Sequence, residues 1–238
     1  MRAAVRKARG GPRATGRTRV PEHAVFGYVH GGTVRAEFCA SLLALALQGG
    51  TLLDAVIAWE SGPNISTARN MIVSKFLGEQ SAAWLLMCDT DMVFAADALD
   101  RLVSGADPAE RPVVGGLCWQ RDPAGGDALP VMLDLGENKD GRLAFSRYAS
   151  WPENACVRVG ATGAGFLLMH RDALGKVEAA AGDAAAPWFR ESAVGSPLSL
   201  LGEDLTFCLR CAAAGVPVHV HTGVQVGHMK AGMLGKVT

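Results

Sequence analysis

Two carboxylates stand one residue apart at the end of an apolar run, Trp84-Leu-Leu-Met-Cys-Asp89-Thr-Asp91-Met-Val-Phe94. Acids at that spacing beyond a strand can face one hard cation. Mg²⁺ and Mn²⁺ are commonly held by one or two protein carboxylates plus substrate phosphates. The carboxyl ends of strands are also where open α/β sheets bind ligands. His228 adds an imidazole that such ions accept, and Lys230 a point charge suited to a phosphate or simply to solvent. Arg69 follows a helix start capped by Asn64 or Ser66. Helix N-termini attract anions and a guanidinium adds a charged fork; the alternative for Arg69 is a salt bridge to an acid such as Glu60. Glu203 and Asp204 open a later helical pattern, where acids either stabilise the helix dipole or supply a general base. Gly163 and Gly165 permit close approach of a ligand to backbone, or mark a tight strand entry.

These residues need a scaffold, and the hydrophobic pattern supplies one. Strands are expected at Ala24–Val29, Leu52–Trp59, Trp84–Cys88 and Pro112–Cys118, with helices between them, after Val34, after Asn64 and at Asp97–Val103. The Trp84 run is apolar without alternation, as in a strand buried on both faces of a parallel sheet. Strand–helix alternation of this kind denotes an α/β sheet with right-handed crossovers. His30 and Glu60 then end the first two strands, beside the ends that carry Asp89 and Asp91. After residue 118 the pattern turns to short strands with many glycines: Pro130–Leu135, Leu143–Tyr148, Cys156–Val159 and Gly165–His170. A helix at Glu203–Ala214 and a strand at Val216–His221 follow, and the Gly-rich tail after Gly227 is expected to be mobile.

The chain has 238 residues, 49% hydrophobic and 19% charged, which excludes a disordered or fibrous protein. No apolar run approaches a membrane span and no secretory leader is evident, so a cytoplasmic protein is expected. The net charge of zero conceals an asymmetry. Residues 1–20 hold seven basic residues and no acid, leaving 16 basic and 23 acidic residues, a balance of −7, for the remainder. We therefore expect a flexible basic arm over 1–22 that could dock on DNA or another polyanion, ahead of a single domain over 23–238. The six cysteines are scattered among apolar positions, and Cys208-x-x-Cys211 has no second pair at zinc spacing. Trp119, Trp151 and Trp188-Phe189 are aromatics on which a base or sugar could stack, or core anchors.

Two phosphate chemistries use a D-x-D. In haloacid-dehalogenase-like phosphatases, Asp89-Thr-Asp91-Met-Val93 would supply the nucleophile. That nucleophile follows the first strand, however, whereas here two strands precede it and no suitable downstream Lys and paired acids follow. The other chemistry is nucleotide-sugar transfer, and here the likeness extends along the chain. Asn64-Ile-Ser-Thr-Ala-Arg69-Asn70, Cys88-Asp89-Thr90-Asp91, Val159-Gly-Ala-Thr-Gly163-Ala-Gly165-Phe166, Gly202-Glu203-Asp204 and Val226-Gly227-His228 come in order, after a first strand-to-helix turn at Gly32-x-Val34. In this the chain resembles GT-A glycosyltransferases, particularly short family-2-like enzymes of phages and bacteria, over roughly residues 24–230.

The resemblance implies a Rossmann-like α/β/α sandwich with a mostly parallel sheet and a mixed acceptor-side half. The donor half would be 23–118 and the acceptor half 119–238. It implies Mn²⁺ or Mg²⁺ on Asp89, Asp91 and His228, and a nucleotide-diphosphate sugar, UDP-sugar foremost, near His30, Gly32, Glu60, Arg69, Asp89, Gly163, Gly165 and Lys230. Asp204 would be the catalytic base beside Glu203. The acceptor is an open hydroxyl: the basic arm favours 5-hydroxymethylpyrimidine in phage DNA, with protein, polysaccharide or lipid as alternatives. A non-catalytic nucleotide-sugar-binding module on the same fold is the rival of another class.

Overall fold

Side-chain alternation along the strands decides where everything else sits. In the strand Trp84–Asp89, Leu85 and Met87 point to one side of the sheet and Trp84, Leu86 and Cys88 to the other, and all five are buried. Both faces must then be covered, which is why the run reads as continuously apolar. The computed structural model describes residues 23–48, 52–182, 185–194, 196–230 and 233–234. The basic arm expected over 1–22 lies outside the described residues.

Seven strands form the central sheet: β1 (Ala24–His30), β2 (Leu53–Glu60), β3 (Trp84–Asp89), β4 (Val113–Leu117), β5 (Cys156–Val159), β6 (Phe166–His170) and β7 (Val218–Gln225). Their order is β5-β7-β4-β6-β3-β1-β2. β1, β2, β3, β4 and β7 share one direction, while β6 and β5 run against their neighbours. The sheet is thus mostly parallel, with its reversals in the second half of the sequence.

Helices α1 (Ala36–Gln48) and α3 (Ala98–Gly105) cover one face, where Phe38, Leu45, Leu99 and Leu102 pack with Phe26, Leu86, Val114 and Phe166. Helices α2 (Ile65–Glu79), α4 (Arg171–Ala181) and α5 (Glu203–Ala213) cover the other, where Ile72, Phe76, Leu174 and Phe207 pack with Val25, Leu85, Leu167 and Val220. Short antiparallel pieces complete the second half: Met132–Glu137 pairs with Leu143–Arg147 and with Ala161–Thr162. The tail expected to be mobile is in part a strand. Gly227–Met229 pairs antiparallel with Met92–Val93 and with Met233–Leu234, because its backbone groups find partners next to β3 rather than in solvent. No helix among the described residues is long and apolar enough to cross a membrane.

Candidate active site

Asp89 closes β3 with the parity of Leu85 and Met87, so its side chain leaves the sheet toward α2 and α5. There it meets Arg69. One guanidinium nitrogen donates to Asp89 Oδ1 at 2.6 Å and another to Glu203 Oε1 at 2.6 Å. Arg69 is only 2% exposed. Burial alone would lower its pKa, but the Asp89 and Glu203 carboxylates outweigh it and hold the pKa above its ordinary value. The alternative partner, Glu60, is not the one used. Arg69 projects inward to join three elements.

Its support comes from the next residue. The Asn70 amide donates to the carbonyls of Ser66 and Phe189, both at 2.6 Å, and accepts from the N–H groups of Trp188 and Phe189. The Phe189 ring lies 5.7 Å from the Arg69 guanidinium and stacks at 4.7 Å on Phe207 of α5. Trp188 and Phe189 are therefore buried supports and no platform for a ligand. At the start of α2, Asn64 is the cap and accepts from the Thr67 N–H; Ser66 lies within the helix.

Asp91 sits in the turn that follows β3. Pairing of Gly227 with Val93 and of His228 with Met92 brings the Gly227–Met229 strand against this turn, and the Met229 N–H donates to the Asp91 carbonyl at 2.7 Å. Asp91 Oδ2 meets His228 Nε2 at 3.0 Å and accepts from Lys230 Nζ at 2.8 Å. Burial would raise the Asp91 pKa, but the hydrogen bonds from His228 and Lys230 prevail and hold it at about 2. The other oxygen, Oδ1, is buried without a hydrogen-bond partner.

His228 Nδ1 lies 2.8 Å from the Trp119 carbonyl, which can only accept. This assigns the Nδ1 proton. The 3.0 Å contact between Nε2 and Asp91 Oδ2 is then bridged by a proton, whose place a bound cation would take. A backbone carbonyl that fixes the far nitrogen is the usual support of a ligating imidazole. With the orphaned Asp91 Oδ1 beside it, this donor set fits Mn²⁺ or Mg²⁺. Asp89 is not gathered into the same cluster: Arg69 takes its Oδ1, and no group of three His, Cys, Asp or Glu forms a cation site among the described residues.

Asp204 lies in the first turn of α5, whose cap residue Gly202 offers no side chain. Its Oδ1 accepts from the Leu205 N–H at 2.8 Å, and its Oδ2 is 3.5 Å from where a side chain on Gly163 would begin. Burial and then the adjacent Glu203 charge raise the Asp204 pKa, against lowering by Arg69 and the Leu205 N–H. A side chain on Gly165 would overlap the end of Met92 and come within 3.4 Å of Asp89 Oδ2. Both glycines therefore keep space open beside the acids.

On the far side of the sheet, His30 and Glu60 are register partners at the ends of β1 and β2. The Gly32 N–H donates to His30 Nδ1 at 3.1 Å. Gly32 has φ +91°, a turn only glycine makes easily, and a side chain there would lie 3.9 Å from Glu60 Oε1. These three form a group of their own. Arg35 escaped the sequence reading: its guanidinium donates to the Lys230 carbonyl at 3.4 Å. So did Trp119 as the orienter of His228, because a backbone carbonyl leaves no mark in residue type. Cys208 and Cys211 are buried, and burial first of all pushes Cys208 up to about 12 and Cys211 well above its usual range, so neither presents a thiolate.

No protein-family model matches the chain, and no curated protein does. Solved structures do. The protein A197 from STIV superposes with a TM-score of 0.55 at 15% identity, over 87% of this chain and 86% of that one. GalNAc-T7, solved with UDP, GalNAc and Mn²⁺, superposes with a TM-score of 0.59 at 10% identity, over 90% of this chain. The chain has the GT-A fold. The match spans 44% of the GalNAc-T7 chain.

Proposed function

We propose that the protein is a glycosyltransferase that moves a sugar from a nucleotide-diphosphate sugar, a UDP-sugar foremost, to an acceptor hydroxyl. The observation that carries this reading is the convergence at one end of a GT-A sheet of the Asp91–His228–Lys230 cluster, the Arg69–Asp89–Glu203 bridge and a protonation-biased Asp204. Residues 23–118 serve the donor, with His30, Gly32 and Glu60 placed for base or ribose. Residues 119–238 contribute the acceptor side and return Glu203, Asp204, His228 and Lys230 to the donor phosphates.

Asp91 and His228 would hold Mn²⁺ or Mg²⁺, which when bound neutralises diphosphate charge. Lys230 adds a mobile ammonium to the same charge, and Arg69 fixes Asp89 and Glu203 so that neither carboxylate swings into the sugar's place. Asp204 accepts the proton of the acceptor hydroxyl as its oxygen bonds to the anomeric carbon. The bond from that carbon to the diphosphate breaks, and the nucleoside diphosphate leaves with the electron pair. Beside the paired Asp89, Asp91 and Glu203, Asp204 has no ion-pair partner among the described residues, which supports it as the general base.

Asp89 as a phosphatase nucleophile has less support, since it ends the third strand and gives Oδ1 to a buried arginine. The test is release of UDP from UDP-hexoses with Mn²⁺ and a mixed acceptor extract. Asp204→Asn is expected to slow turnover by about 10²–10⁴-fold while UDP still binds. Turnover that survives in Asp204→Asn removes Asp204 from the reaction, and a phosphoenzyme lost in Asp89→Asn would replace the reading with phosphatase chemistry.

A further inference from the structure

A cavity of about 730 Å³ opens beside the candidate active site, lined by Trp119, Trp151, Glu153, Asn154, Gln225 and Arg101 among others. Its size falls within the range of small-ligand sites. It shares a wall with the site already described: the Trp119 carbonyl holds His228, and the Trp119 ring meets Trp151 edge-to-face at 6.4 Å. Gln225 ends β7 just before the strand that carries His228.

The lining is selective. Two indoles offer apolar faces for the C–H side of a sugar ring. Glu153 has no ion-pair partner among the described residues and can accept from hydroxyl pairs; the Asn154 and Gln225 amides can donate and accept. Arg101 keeps its charge, but its guanidinium is engaged by the Gly223 carbonyl and reaches Asn154 Oδ1 at 3.5 Å, and the Glu153 carboxylate shares the lining with it. A nucleic-acid strand would bring phosphates, which need uncommitted cations, toward a carboxylate.

We propose that this cavity is the acceptor subsite and that the acceptor is a neutral pyranoside, bound against the Trp119 and Trp151 rings with its hydroxyls on Glu153 and Gln225. The inference rests on the glycosyl-transfer reading and names the substrate class that completes it. The arm at 1–22 then has no part in reading the acceptor.

The test titrates the full chain with methyl α- and β-pyranosides of glucose, galactose, mannose and N-acetylglucosamine, following intrinsic tryptophan fluorescence. A 5-hydroxymethylcytosine oligodeoxynucleotide is the comparison, and UDP with Mn²⁺ is titrated separately by calorimetry. At least one pyranoside is expected to bind saturably. Trp151→Ala and Glu153→Gln are each expected to weaken it about tenfold or more, with UDP affinity unchanged. Trp151→Phe, which keeps a ring, restores part of the affinity and guards against a folding defect in the alanine variant. If no pyranoside binds, or the variants bind as the wild type does while UDP binding is intact, the subsite is wrong and the donor reading stands. If the oligonucleotide binds and Trp151→Ala abolishes it, the substrate class is wrong. Loss of UDP binding in the wild type would strike the donor reading itself.

Discussion

At the scale of single residues, the site is governed by how buried charges are paired. Arg69 neutralises two carboxylates at once from a position 2% exposed. Removing it leaves both acids uncompensated, so Arg69→Ala is expected to destabilise the fold by about 3–5 kcal/mol in urea titrations. Arg69→Lys recovers part of this, because a single ammonium lacks the fork that reaches Asp89 and Glu203 together. As the proposed general base, Asp204 would set the pH dependence. A general base works only as the carboxylate, and burial with the Glu203 charge raises its pKa. Turnover is therefore expected to fall on acidification at a pH above the ordinary carboxylate range. Glu203→Gln removes the like charge and should move that acid limb to lower pH. A limb that stays in place in the pH–rate profile would show that another group titrates.

At the scale of elements, close packing and strand parity place the acids. Gly165 opens β6 against the turn that carries Asp91, and a methyl there would overlap Met92. Gly165→Ala is expected to cost about 1–3 kcal/mol, and most of that increment should vanish when it is measured against Met92→Ala alone, since the obstacle is one flexible side chain. An undiminished loss in the double variant would place the strain in the backbone. Strand β7 carries a different sensitivity. Burial, with Arg111 and Arg158, pushes His219 down to about 4. The unfolded chain takes up this proton first, near pH 6.5, so the stability present above that value erodes as the pH falls toward 4. Melting temperatures from pH 7 to 4.5 should drop less steeply in His219→Gln than in the wild type. The elements themselves were readable: the unbroken apolar run of β3 announced a doubly covered strand. The partners were not. That Arg69 turns from Glu60 to Glu203, or that residues after Gly227 add a strand beside Asp91, depends on contacts 134 to 137 positions apart in sequence. No local pattern encodes these. The indoles at 119 and 188 looked alike in sequence, yet Trp119 lines a cavity and Trp188 is buried beside Asn70.

At the scale of the whole molecule, charge and fold are separable. The seven basic residues of 1–20 contrast with a remainder of −7. Removing 1–22 is expected to leave the melting temperature and nucleotide affinity unchanged while flattening the salt dependence of any binding to duplex DNA; an unchanged salt slope would assign that binding to the body. The body is a GT-A sheet whose two sequence halves meet at one end, with donor-side acids from the first and His228, Lys230, Glu203 and Asp204 from the second. The most direct measurement is the melting temperature of the full chain with UDP, GDP, CDP and ADP, each with and without Mn²⁺, since a ligand that binds only the native state raises it by mass action. Transfer from a nucleotide sugar predicts a rise for one nucleotide family that requires the metal and disappears in Asp91→Asn. No rise with any of the four in the presence of Mn²⁺ would contradict it.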